Sequence, residues 1–123
     1  MRERPEAAAN TSSARCWRRH KGIFNKNDLF IELGSGNGVM AKYFTEYNYI
    51  GLDPIRPNKI NYPFLQGIVE ALPINNDSLN LCFCKDSLSY YRSLTLVFNE
   101  TNRVLKKTDI LSLLNLLVNI III

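Results

Sequence analysis

Apolar residues in this chain fall into short blocks, with glycine, proline and asparagine in the gaps between them. Asp28–Leu33 is almost continuously apolar, which predicts a strand covered on both faces, as in a parallel sheet. Over Val39–Tyr47 the period changes. Val39, Met40, Tyr43, Phe44 and Tyr47 recur at helical spacing and predict a first helix. Tyr49–Leu52 predicts a second strand, ended by Asp53-Pro54. Ile55–Tyr62 holds Pro57 and two asparagines, so a loop or a single helical turn is expected there. Phe64–Ile68 predicts a third, short strand, and after the breaks at Leu72-Pro73 and Asn75-Asn76-Asp77, Leu79–Cys84 predicts a fourth. Leu94–Leu105 predicts a second helix, with Lys106 and Lys107 in its last turn, where the helix dipole favours positive charge. Arg103 and Lys106 are expected on its surface. The apolar end, Ile110–Ile123, predicts a fifth strand; its 14 residues fall short of a bilayer-crossing helix. Strands alternating with helices or crossovers imply an α/β fold with a mainly parallel, doubly wound sheet of about five strands.

Composition and charge narrow this picture. At 123 residues the chain is sized for one domain. The net charge of +4 invites a nucleic-acid partner, but the excess lies wholly in residues 1–22, which carry six basic and two acidic side chains. Residues 23–123 are neutral, so a solvated extension is favoured over a nucleic-acid clamp. Residues 1–22 have no apolar signal-peptide centre, and Glu3 and Glu6 weaken an organellar presequence. They are expected to be a disordered basic tail ahead of one cofactor-binding domain, 23–123. Cys82 and Cys84 share a strand face, where a mutual disulfide would distort the strand. Buried reduced thiols, together with Cys16, point to a reducing, cytoplasmic compartment. His20 stands alone, without zinc-ligand spacing, and no metal is expected.

The chemistry centres on Glu32-Leu33-Gly34-Ser35-Gly36-Asn37-Gly38. Glycines after a buried strand let the backbone turn tightly beneath a ligand with free N–H groups. A ligand-free tight turn is the plain alternative. Three acidic residues argue for a ligand. Glu32 ends a buried strand, where a lone carboxylate is costly and must meet a donor or a cationic group. Asp53 ends the next strand, at the distance where nucleoside-binding α/β units place a ribose-gripping carboxylate. Glu70 follows the third strand. In open α/β sheets, ligands bind at these carboxyl ends, where the strand order reverses. A nicotinamide fingerprint would put its third glycine at Val39; here it comes one residue early, at Gly38. Pyrophosphate would also be repelled by Glu32, so a ligand with an ammonium group and no phosphate fits better.

Glu32 to Gly38, then Gly51-Leu52-Asp53, Glu70-Ala71-Leu72-Pro73 and Arg103-Val104-Leu105-Lys106, resemble the ordered motifs of class I S-adenosylmethionine-dependent methyltransferases. The resemblance covers roughly Asn27 to Lys107 and implies a Rossmann-like fold and methyl transfer to an unidentified acceptor. It implies that Glu32, Gly34, Ser35, Gly36 and Gly38 border the methionine part of S-adenosylmethionine. Asp53 would hold the ribose, and Val69 and Glu70 would border the adenine. Lys85-Asp86-Ser87-Leu88 would lie under the methyl group, with Asp86 as candidate base. Tyr90 and Tyr91 are candidates for the acceptor wall. The chain departs from the family in three places. Ile68 stands where many relatives carry an acid. Lys85–Leu88 lacks the Asn/Asp-Pro-Pro-aromatic signature of nucleic-acid base methylases. Lys107-Thr108-Asp109 replaces a Pro-Gly-Gly turn. The last two strands of the family core are also missing before Ile123, which implies an open apolar edge for a protein partner. A non-catalytic, truncated module is the alternative, and a nicotinamide dehydrogenase fragment is disfavoured by Val39.

Overall fold

A computed structural model describes residues 11–85, 87–107 and 120–122. Five strands form one sheet: β1 (Leu29–Leu33), β2 (Asn48–Asp53), β3 (Phe64–Gln66), β4 (Leu81–Cys84) and β5 (Ile120–Ile122). Their order is β3-β2-β1-β4-β5, and every pairing is parallel. The chain thus builds outward from β1 to β3, then crosses back to lay β4 on the other side of β1. The expected doubly wound sheet is present, with the limits of β1 to β4 within about two residues of expectation.

Each strand face has its own core, as the two-residue period of β structure requires. Ile31 and Leu33 of β1, with Cys82 and Cys84 of β4, meet Leu52, Val69, Leu72 and Leu79 on one side. The helix Leu94–Val104 covers this layer through Val97, Thr101 and Val104. Ser93 caps that helix, its hydroxyl accepting from the Leu96 N–H at 3.2 Å. On the other side Phe30, Tyr49, Leu81 and Phe83 meet Phe24, Met40 and Phe44 in a cluster made largely of aromatic rings.

Three sequence expectations are corrected. Residues 12–20, assigned to a disordered tail, form a helix, α1 (Ser12–His20); the helix Leu94–Val104 is therefore α2. Thr11 caps α1 by accepting from the Ala14 N–H at 3.1 Å. Cys16 is buried in the aromatic layer, and Trp17 stacks on Tyr43 with ring centroids 5.5 Å apart. Residues 1–10 lie outside the described residues. Secondly, Val39–Tyr47 is a chain of turns with one 3₁₀ turn at Ala41–Phe44, bonded Ala41 to Gly38, Tyr43 to Met40 and Tyr47 to Phe44. Those i to i−3 bonds follow from a short, aromatic-rich segment in which tertiary ring packing outweighs helix propensity. Thirdly, Arg103 is not simply on the surface of α2. Its guanidinium donates to the Leu72 and Ile74 carbonyls, to Asn76 Oδ1 and to Glu100, fixing the segment after β3.

The apolar fifth strand is present as Ile120–Ile122, while 108–119 lie outside the described residues. Among the described residues no helix is long and apolar enough to cross a membrane. The cysteines are free and buried.

Candidate functional site

The chain turns immediately after β1. Gly34, Gly36 and Gly38 all have positive φ, at 71°, 55° and 78°, where a side chain would be strained. Gly34 also admits close neighbours: a Cβ there would lie 2.8 Å from the Tyr91 hydroxyl and 2.9 Å from Ser87 Oγ. Next door, β2 supplies the anchor. The Ser35 N–H donates to the Leu52 carbonyl at 2.8 Å. Asp53 takes the Gly36 N–H on Oδ2 at 2.9 Å and the Ile55 N–H on Oδ1 at 3.0 Å. Each carboxylate oxygen keeps acceptor capacity beyond these bonds.

These strand ends enclose a cavity of about 650 Å³, within the usual range for small-molecule sites. Its wall is built from Gly34 and Gly36 after β1, Asp53 and Pro54 after β2, Ile68, Val69 and Glu70 after β3, and Lys85, Ser87, Tyr90, Tyr91 and Arg92 after β4. The cavity therefore spans the junction of β1 and β4, where the strand order reverses. Glu70 ties two sides of it together, accepting the Arg92 N–H on Oε2 at 3.1 Å.

Of the eight residues assigned to cofactor binding, Gly34, Gly36, Asp53, Val69 and Glu70 line this cavity, and Glu32, Ser35 and Gly38 do not. Gly38 packs on the Tyr62 ring, so close that a Cβ would lie 2.6 Å from the Tyr62 hydroxyl. Ser35 points its hydroxyl at Gly51, 2.9 Å from the position of a Cβ there. Glu32 lies on the aromatic face of β1, only 3% exposed. Its donor comes from within the protein, as the Tyr49 hydroxyl bonds to Glu32 Oε1 at 2.6 Å. Burial pushes the Glu32 carboxyl up to about 7, against the pull of the Tyr49 hydrogen bond and of Lys85, with Asp53 adding to the rise. Burial likewise pushes the Tyr49 phenol upward, helped by Glu32.

Asp86 lies outside the described residues, although its neighbours Lys85 and Ser87 line the cavity. Tyr90 and Tyr91 both reach the wall; Tyr90 is exposed, while the Tyr91 hydroxyl packs down on Gly34. Sequence reasoning missed the partnership of Tyr49 with Glu32 and the tie of Ser87 to β1. The one available signal was Gly51. Aligned beside Glu32 in the sheet, it leaves a space that Tyr62 and Ser35 approach. Among the described residues no group of three or more His, Cys, Asp or Glu side chains could hold a metal ion.

Comparison with known proteins adds a family to this geometry. The family described as methyltransferase domain matches residues 31–113. No match is found among curated proteins. Among solved structures, the YcgJ protein from Bacillus subtilis superposes with a TM-score of 0.63 at 23% identity, over 78% of this chain and 46% of its own. An S-adenosylmethionine-dependent methyltransferase from Mesorhizobium loti gives a TM-score of 0.59 at 16% identity, over 73% and 48%. A chain from the Haloferax volcanii complex of the Trm112 methyltransferase activator gives 0.59 at 21%, over 86% and 57%. The chain spans about half the length of the structures it matches.

Proposed function

The chain belongs to the methyltransferase-domain family, and from that premise we propose that it binds S-adenosylmethionine in the cavity at the β1–β4 junction and transfers its methyl group to an acceptor. One observation carries this reading: Asp53 stands on the cavity wall with both oxygens oriented by backbone N–H groups. A carboxylate so fixed can accept from two adjacent ribose hydroxyls without reorganising. The donor set fits a phosphate-free nucleoside. After the glycines comes a 3₁₀ turn and not an α-helix, so the helix N-terminus that cradles pyrophosphate is absent from this position.

Ile68 and Val69 supply an apolar flank for a purine ring, with Glu70 beside them. Gly34 and Gly36 bring bare backbone to the same wall. Glu32, buried at the end of β1 and bonded to Tyr49, adds negative potential for a cationic ligand when ionised. The cofactor, when bound, supplies a methyl group already activated on a sulfonium. The protein must therefore chiefly align the acceptor and exclude water, and proximity of this kind is worth up to about 7–11 kcal/mol in well-organised cases. Lys85, Ser87, Tyr90 and Tyr91 are our candidates for holding the acceptor. Asp86 is our candidate for taking its proton where one must leave. Buried free cysteines fit a reducing compartment, and we place the protein in the cytoplasm.

Calorimetric titration with S-adenosylmethionine and, separately, NAD tests the reading. Binding of the first alone is expected, and Asp53→Ala should weaken it by about 1–3 kcal/mol through lost charged hydrogen bonds. NAD binding, or unchanged affinity in the variant, would defeat it. A second reading, a cofactor-binding module that works only with a protein partner, is favoured by the likeness to a chain from an activator complex. Methyl transfer by the isolated chain would dismiss that reading.

A further inference from the structure

The glycine turn holds one side chain that the cofactor reading leaves unused. Asn37 stands exposed between Gly36 and Gly38, and of the 14 asparagines in the chain it alone precedes a glycine. The amide carbon of an asparagine can close a five-membered ring with the next backbone nitrogen, one reason the residue is thermolabile. A Cβ on the following residue crowds that nitrogen, and glycine has none. Three structural facts keep the approach open. Asn37 lies in a run of turns, outside helix and strand, so no regular ladder of backbone bonds fixes it. Among the described residues no hydrogen bond holds its side chain. A Cβ at neighbouring Gly36 would meet nothing within 4 Å, so the turn has room to move on that side. One contact opposes: the Gly38 N–H donates to the Ser35 carbonyl at 3.0 Å. It is a single i to i−3 bond in a surface turn, and local opening releases the nitrogen.

We propose that Asn37 is a self-modification site, at which the folded chain deamidates with water as the one co-reactant. The Gly38 nitrogen gives up its proton to solvent and attacks Asn37 Cγ. As the new C–N bond closes a cyclic imide, the bond from Cγ to the side-chain nitrogen breaks, and that nitrogen leaves with a proton as ammonia. Water then opens the imide. Cleavage at Cγ leaves aspartate, and cleavage at the main-chain carbonyl leaves isoaspartate, whose main chain runs through Cβ and Cγ and is one methylene longer. The longer backbone cannot keep a turn set by the Gly36 N–H on Asp53 and the Gly38 N–H on Ser35. Isoaspartate therefore deforms the wall that Gly34, Gly36 and Asp53 present to the cavity. This effect on binding rests on the cofactor reading above, whereas the modification itself does not.

The test holds the full chain at physiological temperature and mildly alkaline pH and samples it over time. Trypsin releases residues 27–42, and mass spectrometry with fragmentation places the change from amide to acid, while chromatography separates aspartate from isoaspartate. Conversion is expected at Asn37, with the other asparagines keeping their amides. The fraction of protein able to bind S-adenosylmethionine, read by calorimetry, should fall in step with isoaspartate content. Asn37→Gln, whose longer side chain cannot close the five-membered ring, should lose no binding over the same interval; circular dichroism checks that it is folded. A chain that keeps its Asn37 amide while a synthetic peptide of residues 27–42 converts overturns the proposal. Isoaspartate accumulating with no loss of binding overturns its functional half. Failure of the fresh chain to bind S-adenosylmethionine overturns the cofactor reading, and the mass record alone then decides the modification.

Discussion

Glu32 is a carboxyl group held where charge is costly. Burial moves it from 4.5 to about 7, so between those values the native state holds a proton that the unfolded chain releases. The stabilisation is complete below about pH 4.5, declines as pH rises and is gone above about pH 7, a swing of about 3 kcal/mol. Urea unfolding at pH 5 and pH 8 should therefore show the unaltered chain losing stability toward the alkaline side. Glu32→Gln, which can still accept from Tyr49, should flatten that slope; an unchanged slope would free Glu32 of responsibility. Asp53, another acid at a neighbouring strand end, has the opposite surroundings, with two backbone donors and a place on the cavity wall. That both acids stand at strand ends was legible in the residue order. That Glu32 is sealed against Tyr49 was not, because it depends on the alignment of Glu32 with Gly51, a property of two paired strands and not of either segment.

Elements were legible where one local signal dominated. The strands announced themselves as apolar runs, and α2 ends at Val104, one residue before its expected limit. The segment Val39–Tyr47 had helical spacing, yet its apolar residues are mostly aromatic. Phe44 stacks on Tyr49 at 4.9 Å and meets Tyr47 edge-on at 5.6 Å, contacts with a neighbouring strand and turn that the spacing could not reveal. In α1, arginines at positions 15, 18 and 19 concealed the buried face of Ala14 and Cys16. α2 does more than cover the sheet, since Arg103 holds the segment leading from the cavity wall at Val69 and Glu70 toward β4. Lysine lacks the planar fork that reaches several acceptors at once. Arg103→Lys should cost about 1 kcal/mol at this partly exposed site and speed amide exchange between residues 72 and 76. Exchange confined to its original rate would show the clamp to be idle.

At the scale of the whole molecule, the sheet separates an aliphatic layer beneath α2 from an aromatic layer closed by α1. Trp17 completes the second, stacked on Tyr43 and set edge-on to Phe44 at 5.2 Å. Trp17→Ala should destabilise the chain by about 2–3 kcal/mol, discounted for its partial exposure. Chemical unfolding followed by circular dichroism reads this; a loss below about 0.5 kcal/mol would mean that α1 merely rests on the sheet. The strand order also has a consequence during synthesis. β1, in the middle of the sheet, can join β2 soon after both emerge, but its other neighbour is remote: Phe30 aligns with Leu81 and Leu33 with Cys84. At translation rates of about 5–20 residues per second, one side of β1 waits roughly 3–10 s for β4 to be made. Through that interval its unmatched amides and carbonyls face whatever the ribosome's surroundings provide, so the yield of folded protein is expected to depend on translation speed and chaperone supply as well as on the stability of the finished sheet.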